Sequence, residues 1–223
     1  MGIISWISDN YIEVFGAITG ILYVFLEIKQ NLWLWPVGII TSAVYIWVFF
    51  TGKLYADMSL QVYYLAISVL GWYWWMKGAR RRAQGNTSPL ESLSRDSGRG
   101  QGDVSSDNSG KPKLVVHRIN VKTGITLVSV FIILYFIMWF ILSHLTDSPV
   151  PAADSFITSL SIVATWMLAR KIYEHWYLWI VVDAFASVLF ITRHLYPTVI
   201  LYIVYCIMSF AGLIEWKKSL ISK

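Results

Sequence analysis

Charged side chains are scarce: they make up 14% of the 223 residues, against about 25% in an ordinary soluble domain. That scarcity, with 57% hydrophobic residues, excludes a solvated disordered chain and leaves too little polar surface for a water-soluble globule. Cysteine is nearly absent. Cys206 stands alone in an apolar run, so no intramolecular disulfide framework is possible. The chain also lacks a GxxxxGK[ST] phosphate loop, an HExxH pair and a Cys/His cluster of metal-ligand spacing. Those absences argue against an ATP-driven pump, a metalloenzyme and any bound cofactor. An intramembrane enzyme would need a nucleophile, a base or a metal set, and scattered Ser and Thr do not supply one.

What is abundant is aromatic and aliphatic. There are 12 Trp, 13 Tyr and 11 Phe, and the apolar residues come in long runs rather than on faces. A membrane-crossing helix needs about 20 mostly apolar residues. Seven such segments are expected, at approximately 10–28, 33–50, 57–76, 124–144, 155–170, 177–193 and 197–216. Helices are expected throughout, because hydrocarbon leaves unpaired backbone groups without partners. No cleavable leader is expected, since the first residues lack basic character and Asp9 and Glu13 follow.

The Lys and Arg residues set the orientation. With the N-terminus outside and the C-terminus cytoplasmic, sixteen of the eighteen fall on the inner side and only Lys53 and Arg193 on the outer. Residues 78–113 are rich in Gly, Ser and charge and read as a disordered cytoplasmic linker. The cluster Arg80–Arg81–Arg82 reads as a stop-transfer signal touching anionic headgroups, not as a nucleic-acid contact.

An internal repeat is expected as well. An offset of 144 sets Glu27–Asn31 on Lys171–His175 and Trp35 on Trp179. An offset of 141 sets Tyr64 on Tyr205, Ser68 on Ser209, Gly71 on Gly212 and Trp75 on Trp216. The fold class that follows is an all-α membrane protein with seven transmembrane helices. Two parallel three-helix repeats are joined by a linker helix, a 3+1+3 layout of the kind in which two bundles rock about a central site. The expected divisions are 1–77, a first three-helix bundle; 78–123, a basic linker; 124–154, the linker helix and outer loop; and 155–223, a second bundle.

Polar residues inside such helices tend to face the bundle interior. Asp57, Gln61, Tyr64 and Ser68 share one face of the third helix, and Tyr202, Tyr205 and Ser209 one face of the seventh. The sixth helix aligns Trp176, Trp179, Asp183 and Ser187, and the fifth carries Thr158, Ser161 and Thr165. A carboxylate at bilayer depth costs about 2.5–3.5 kcal/mol and calls for a partner. No Lys or Arg lies at that depth, so a cationic ligand is a natural partner, with a hydrogen bond to a neighbouring Tyr or Thr that stabilises the bundle as the structural alternative. Two indoles beside it can stack on a flat cationic ring. Trp72, Trp74, Trp75 and Trp216 read as interfacial anchors, and His175 and His194 as interfacial groups rather than metal ligands.

These residues resemble those of the PnuC family of nicotinamide riboside transporters. The resemblance rests on Trp35–Pro36–Val37–Gly38, on Tyr55–Ala56–Asp57 leading to Leu60–Gln61 and Tyr64, on Gly71–Trp72–Tyr73 and Trp75, and on Trp176, Trp179 and Asp183. It implies a SWEET-like fold and a multi-pass protein of the bacterial inner membrane, in contact with lipid and assembled as a homotrimer. It also implies facilitated diffusion of the vitamin, trapped inside by phosphorylation. Carried onto this chain, Trp176, Trp179 and Asp183 hold the substrate, with Gln61, Tyr64, Tyr205, Trp35 and Ser187 around it. Glu27, Lys29, Arg170, Lys171 and Glu174 form an inner gate of charge pairs. The expected activity is transport, not catalysis. Thiamine, also cationic and aromatic, is the alternative substrate, while neutral riboflavin suits Asp183 less.

Overall fold

Each apolar run becomes a helix because, in hydrocarbon, the chain can satisfy its backbone only by bonding to itself. The computed structural model describes residues 11–51, 55–85, 116–146, 148–192, 194 and 196–221, without the side chains of 11–13, 55–57, 79–85 and 221. Within these residues there are seven helices: α1 (Tyr11–Ile28), α2 (Leu34–Thr51), α3 (Tyr55–Gly85), α4 (Val121–His144), α5 (Pro151–Ala169), α6 (His175–Thr192) and α7 (Tyr196–Ile221). Five of them, α2 and α4 to α7, are long and apolar enough to cross a membrane.

Three boundaries differ from the sequence expectation by four residues or more, one of them the end of α7 at Ile221 rather than 216. α3 continues to Gly85, well into the segment read as linker, because Ala, Arg and Gln after Lys77 are strong helix formers. α5 starts at Pro151, where a proline loses nothing in the first turn. The expected disordered stretch from 86 to 115, and the side chains of Asp57 and Arg80–Arg82, lie outside the described residues.

Six helices form a closed ring in the order α1–α2–α3–α5–α6–α7, with α7 returning to α1. Among the described residues α4 packs on α5 alone, and none of its residues is buried. The two closing contacts are alike. At one, the Trp75 indole donates to the Ala169 carbonyl at 3.2 Å. At the other, the Trp216 indole donates to the Glu27 carbonyl at 3.0 Å. Each of these indoles also meets a second Trp edge to face, Trp75 with Trp35 at 5.3 Å and Trp216 with Trp176 at 5.7 Å. Trp75 and Trp216 are therefore buried core residues, not the interfacial anchors expected of them.

The partner of each inner Trp ring is a glycine. A Cβ on Gly71 would overlap the ring of Trp35, and one on Gly212 the ring of Trp176. The exits of α1 and α5 match as well. Gln30 (φ 51°) and Lys171 (φ 55°) adopt the left-handed conformation. In each exit two N–H groups return to the helix: Gln30 to Glu27 O and Asn31 to Leu26 O, Lys171 to Leu168 O and Ile172 to Met167 O. This is the Schellman pattern, usually closed by Gly. Gln and Lys there cost roughly 1 kcal/mol each, but their side chains are in use. Lys171 Nζ donates to Gln30 Oε1 at 3.2 Å and lies 4.0 Å over the Trp75 ring, while Gln30 donates to Ser219 at 2.9 Å.

The ring, glycine and helix-exit matches run at an offset of 141, including Trp35 with Trp176 and Gln30 with Lys171, while the acceptors of the two closing bonds, Glu27 and Ala169, stand 142 apart. The offset of 144 that would set Trp35 opposite Trp179 is not followed. It drew on short coincidences between charged helix ends, which carry little weight beside matching contacts.

Candidate functional site

The ring surrounds a half-open cavity of about 240 Å³. Every helix except α4 contributes: Thr19, Tyr23 and Glu27 from α1, Thr41 and Ser42 from α2, Gln61 and Tyr64 from α3, Thr165 from α5. Trp176, Trp179 and Asp183 come from α6, and Tyr205 and Ser209 from α7. The spacings of 3 and 4 along α6 put both indoles and the carboxylate on one stripe, and the ring turns that stripe inward.

Asp183 is 4% exposed, and one of its carboxylate oxygens accepts from the Ser209 hydroxyl at 3.1 Å. Among the described residues no cation pairs with it. A second carboxylate, Glu27, lies in the same lining and is held by His175 at 3.0 Å. His175 is fully buried, with Nδ1 2.7 Å from the Ile172 carbonyl. A carbonyl only accepts, so Nδ1 carries a proton, and a further proton lies between Nε2 and Glu27. His175 is thus a core group, sandwiched by Trp176 and Trp216 at 4.7 and 4.6 Å, and not the interfacial residue expected.

Glycines admit bulky groups here. A Cβ on Gly20 would overlap the Tyr205 hydroxyl, and one on Gly38 would meet the Ser68 hydroxyl at 2.9 Å. Three buried polar atoms of lining residues have no partner among the described residues: Thr41 Oγ1, Trp176 Nε1 and Trp179 Nε1. An unpaired buried donor costs roughly 1–3 kcal/mol, so the lining is built to be completed by something that accepts hydrogen bonds. Flat aromatic faces, two carboxylates and these donors together suit a small, flat, cationic molecule with hydroxyl or amide oxygens.

Of the expected substrate residues, the structure brings Trp176, Trp179, Asp183, Gln61, Tyr64 and Tyr205 together in the lining. Trp35 is behind the wall, fully buried against Gly71 and Trp75. Ser187 lies one turn beyond Asp183, donating to its backbone carbonyl at 2.8 Å. The five charged residues expected as an inner gate have these neighbours among the described residues. Glu27 binds His175, Glu174 accepts from the Ile119 N–H at 2.9 Å, and Arg170 stacks 4.0 Å over Trp74. Lys171 meets Gln30, and Lys29 is exposed. Charge alone cannot reveal these neighbours, because indoles, amides and backbone groups compete for the same cations and anions. Tyr23 and Thr41 also escaped the sequence reading. Gly16 and Gly20, one turn apart on α1, and Gly38 on α2 were the available signal, since a close approach needs small residues.

Known proteins are similar to this chain in sequence and in fold. The nicotinamide riboside transporter PnuC of Escherichia coli (strain K12) is 26% identical over 210 residues, covering 94% of this chain and 86% of its own length. PnuC of Neisseria mucosa is 27% identical over 220 residues, with 94% and 73% covered. The riboflavin/roseoflavin transporter RibM of Streptomyces davaonensis is 22% identical over 204 residues, with 92% and 83% covered. A crystal structure of the vitamin B3 transporter PnuC has the same fold, with a TM-score of 0.69 and 23% identity, and covers 96% of this chain and 84% of that one. The model of the nicotinamide mononucleotide transporter family matches residues 10–218, nearly the whole chain, and this multi-pass membrane protein belongs to that transporter family.

Proposed function

We propose that the protein carries nicotinamide riboside across the bacterial inner membrane by facilitated diffusion. One observation carries this reading: Trp176, Trp179 and Asp183 converge in a half-open cavity, and Asp183 has no protein cation paired with it among the described residues. The ligand's pyridinium is flat and positive, so it can lie against the indoles while its charge is balanced by Asp183. Its ribose and amide oxygens then reach Gln61, Tyr64, Tyr205 and the indole N–H groups. Phosphorylation on the inner side would trap the vitamin, because a phosphate adds negative charge that the Asp183 carboxylate repels.

In this reading α1–α3 and α5–α7 are parallel repeats joined by α4, and they rock about the cavity. The paired contacts at an offset of 141 support it. So does the ring order, which a two-fold axis along the membrane normal maps onto itself. The N-terminus lies outside and the C-terminus in the cytoplasm, a reading supported by the Lys and Arg distribution. Glu27 and Lys171, each buried near the helix exits, close the inner side, with Lys29, Arg170 and Glu174 around them. The apolar outer faces of the ring and of α4 meet lipid and neighbouring copies in a homotrimer. No cofactor takes part.

Calorimetric titration of the purified protein with nicotinamide riboside, and separately with thiamine, tests the substrate. Saturable binding of the riboside that Trp179→Ala removes supports both ligand and site. Thiamine binding alone would transfer the same face to the other cationic vitamin. Binding of neither by folded protein would overturn the assignment.

A further inference from the structure

A second recess lies apart from the central cavity, where the basic ends of α3 and α5 meet the start of α4. Its volume is about 480 Å³, and it is lined by Lys77, His117, Arg118 and Arg170 with the indoles of Trp74 and Trp166. No Asp or Glu belongs to the lining. Among the described residues none of Lys77, Arg118 and Arg170 forms an ion pair. The nearby carboxylate, Glu174, is engaged by the Ile119 N–H.

The recess is held in shape by its neighbours. The Arg170 guanidinium lies 4.0 Å over Trp74 and 5.4 Å from Trp166, which fixes its plane while its N–H edges stay available. Arg118 is placed by a short strap: His117 N–H donates to Lys171 O at 3.2 Å, and Tyr173 N–H to His117 O at 3.0 Å. The strap leads into α4, whose cap residue Asn120 makes no side-chain capping bond. The first-turn N–H groups of that helix, beside Asn120 and Thr123 of the lining, add to the positive field.

We propose that this recess binds a phosphate-bearing anion. Three cations without an ion pair, one of them the prepared Arg170 guanidinium, match the several oxygens of a phosphate. The two indoles form an apolar floor of the kind that favours the membrane–water boundary. The phosphate of an anionic lipid and a free phosphate present the same chemistry, and bound there either would tie α3, α4 and α5 together at the strap.

The test uses the full-length, delipidated protein in neutral detergent, with its melting temperature followed against three probes. These are phosphatidylglycerol in mixed micelles, phosphatidylcholine at the same fraction, and inorganic phosphate at ionic strength matched with chloride. The comparison protein is Lys77→Gln/Arg118→Gln, altered only at exposed side chains and checked for folding by its binding of nicotinamide riboside. Stabilisation by phosphatidylglycerol, with apparent affinity about thirtyfold weaker in the double variant, is expected for two cations near a membrane surface. Stabilisation by phosphatidylglycerol but not inorganic phosphate assigns the site to lipid, and stabilisation by both to the phosphate group itself. If phosphatidylcholine stabilises equally, if no probe stabilises, or if the double variant responds like the unaltered protein, the proposal is overturned.

Discussion

At the scale of single residues, the cavity separates charge from shape. Asp183→Asn keeps an oxygen for Ser209 to donate to but removes the negative charge. Nicotinamide riboside affinity is therefore expected to fall about tenfold, the loss of one charge-assisted contact of roughly 1.4 kcal/mol. The melting temperature should hold or rise, since a buried charge without a protein counter-ion is removed. Calorimetry beside a thermal unfolding scan measures both, and unchanged affinity would take Asp183 out of the ligand's reach. Glu27 differs because it already has a partner. Glu27→Ala leaves the His175 imidazole buried against two indoles with one nitrogen unanswered, a loss of about 3 kcal/mol of stability. Glu27→Ala/His175→Ala should cost clearly less than the sum of the two single changes in a double-mutant cycle read by thermal unfolding. Additive losses would mean that the 3.0 Å contact contributes nothing. The α6 stripe was legible from spacing alone, because three residues on one helix need only the helical period to be placed together. The Glu27–His175 pair was not, because 148 residues separate its members and nothing local in either helix announces the other.

At the scale of elements, the two glycine–tryptophan contacts are locally alike but have different neighbours. Gly71→Ala would drive a methyl group into Trp35, and Gly212→Ala would do the same to Trp176. Overpacking of this kind costs typically 1–3 kcal/mol, so both variants should melt earlier. Only Trp176 belongs to the cavity lining. Gly212→Ala is therefore expected to weaken riboside binding as well, while Gly71→Ala leaves binding intact in the protein that remains folded. Equal binding losses in both would show that the α2–α3 contact also shapes the site. Helix count and identity were readable because seven apolar runs have few alternatives in a bilayer. The ends were less so. The strong helix formers after Lys77 carry α3 on to Gly85, and composition alone does not separate a polar helix end from a linker. The likeness of Tyr64 to Tyr205 and of Gly71 to Gly212 was readable in the sequence, but the matching register near the α1 exit depended on backbone geometry. The left-handed Gln30 and Lys171 fix that register, with the hydrogen bonds that return to each helix.

At the scale of the whole molecule, the energetics of crossing follow from where the charges are balanced. Nicotinamide riboside brings its own positive charge, and Asp183 offers one negative charge inside the ring. The loaded cavity is then close to neutral without a co-transported ion, and a carrier that recloses around a neutral cavity has no need of a gradient other than that of the vitamin. Uptake into proteoliposomes is accordingly expected to saturate, and to run at the same rate with and without sodium or an imposed pH gradient. Liposomes preloaded with unlabelled riboside should accumulate labelled riboside in a transient overshoot, because one rocking carrier serves both directions. The overshoot should vanish with Trp179→Ala, which leaves the ring and its closing Trp75 and Trp216 contacts in place while removing half of the stacking surface. Uptake that disappears when the pH gradient is collapsed, with no overshoot under preloading, would mean that the empty carrier must take up a proton to return. Asp183, the cavity carboxylate not already held by a histidine, would then have to serve as the coupling group as well as the ligand's counter-charge.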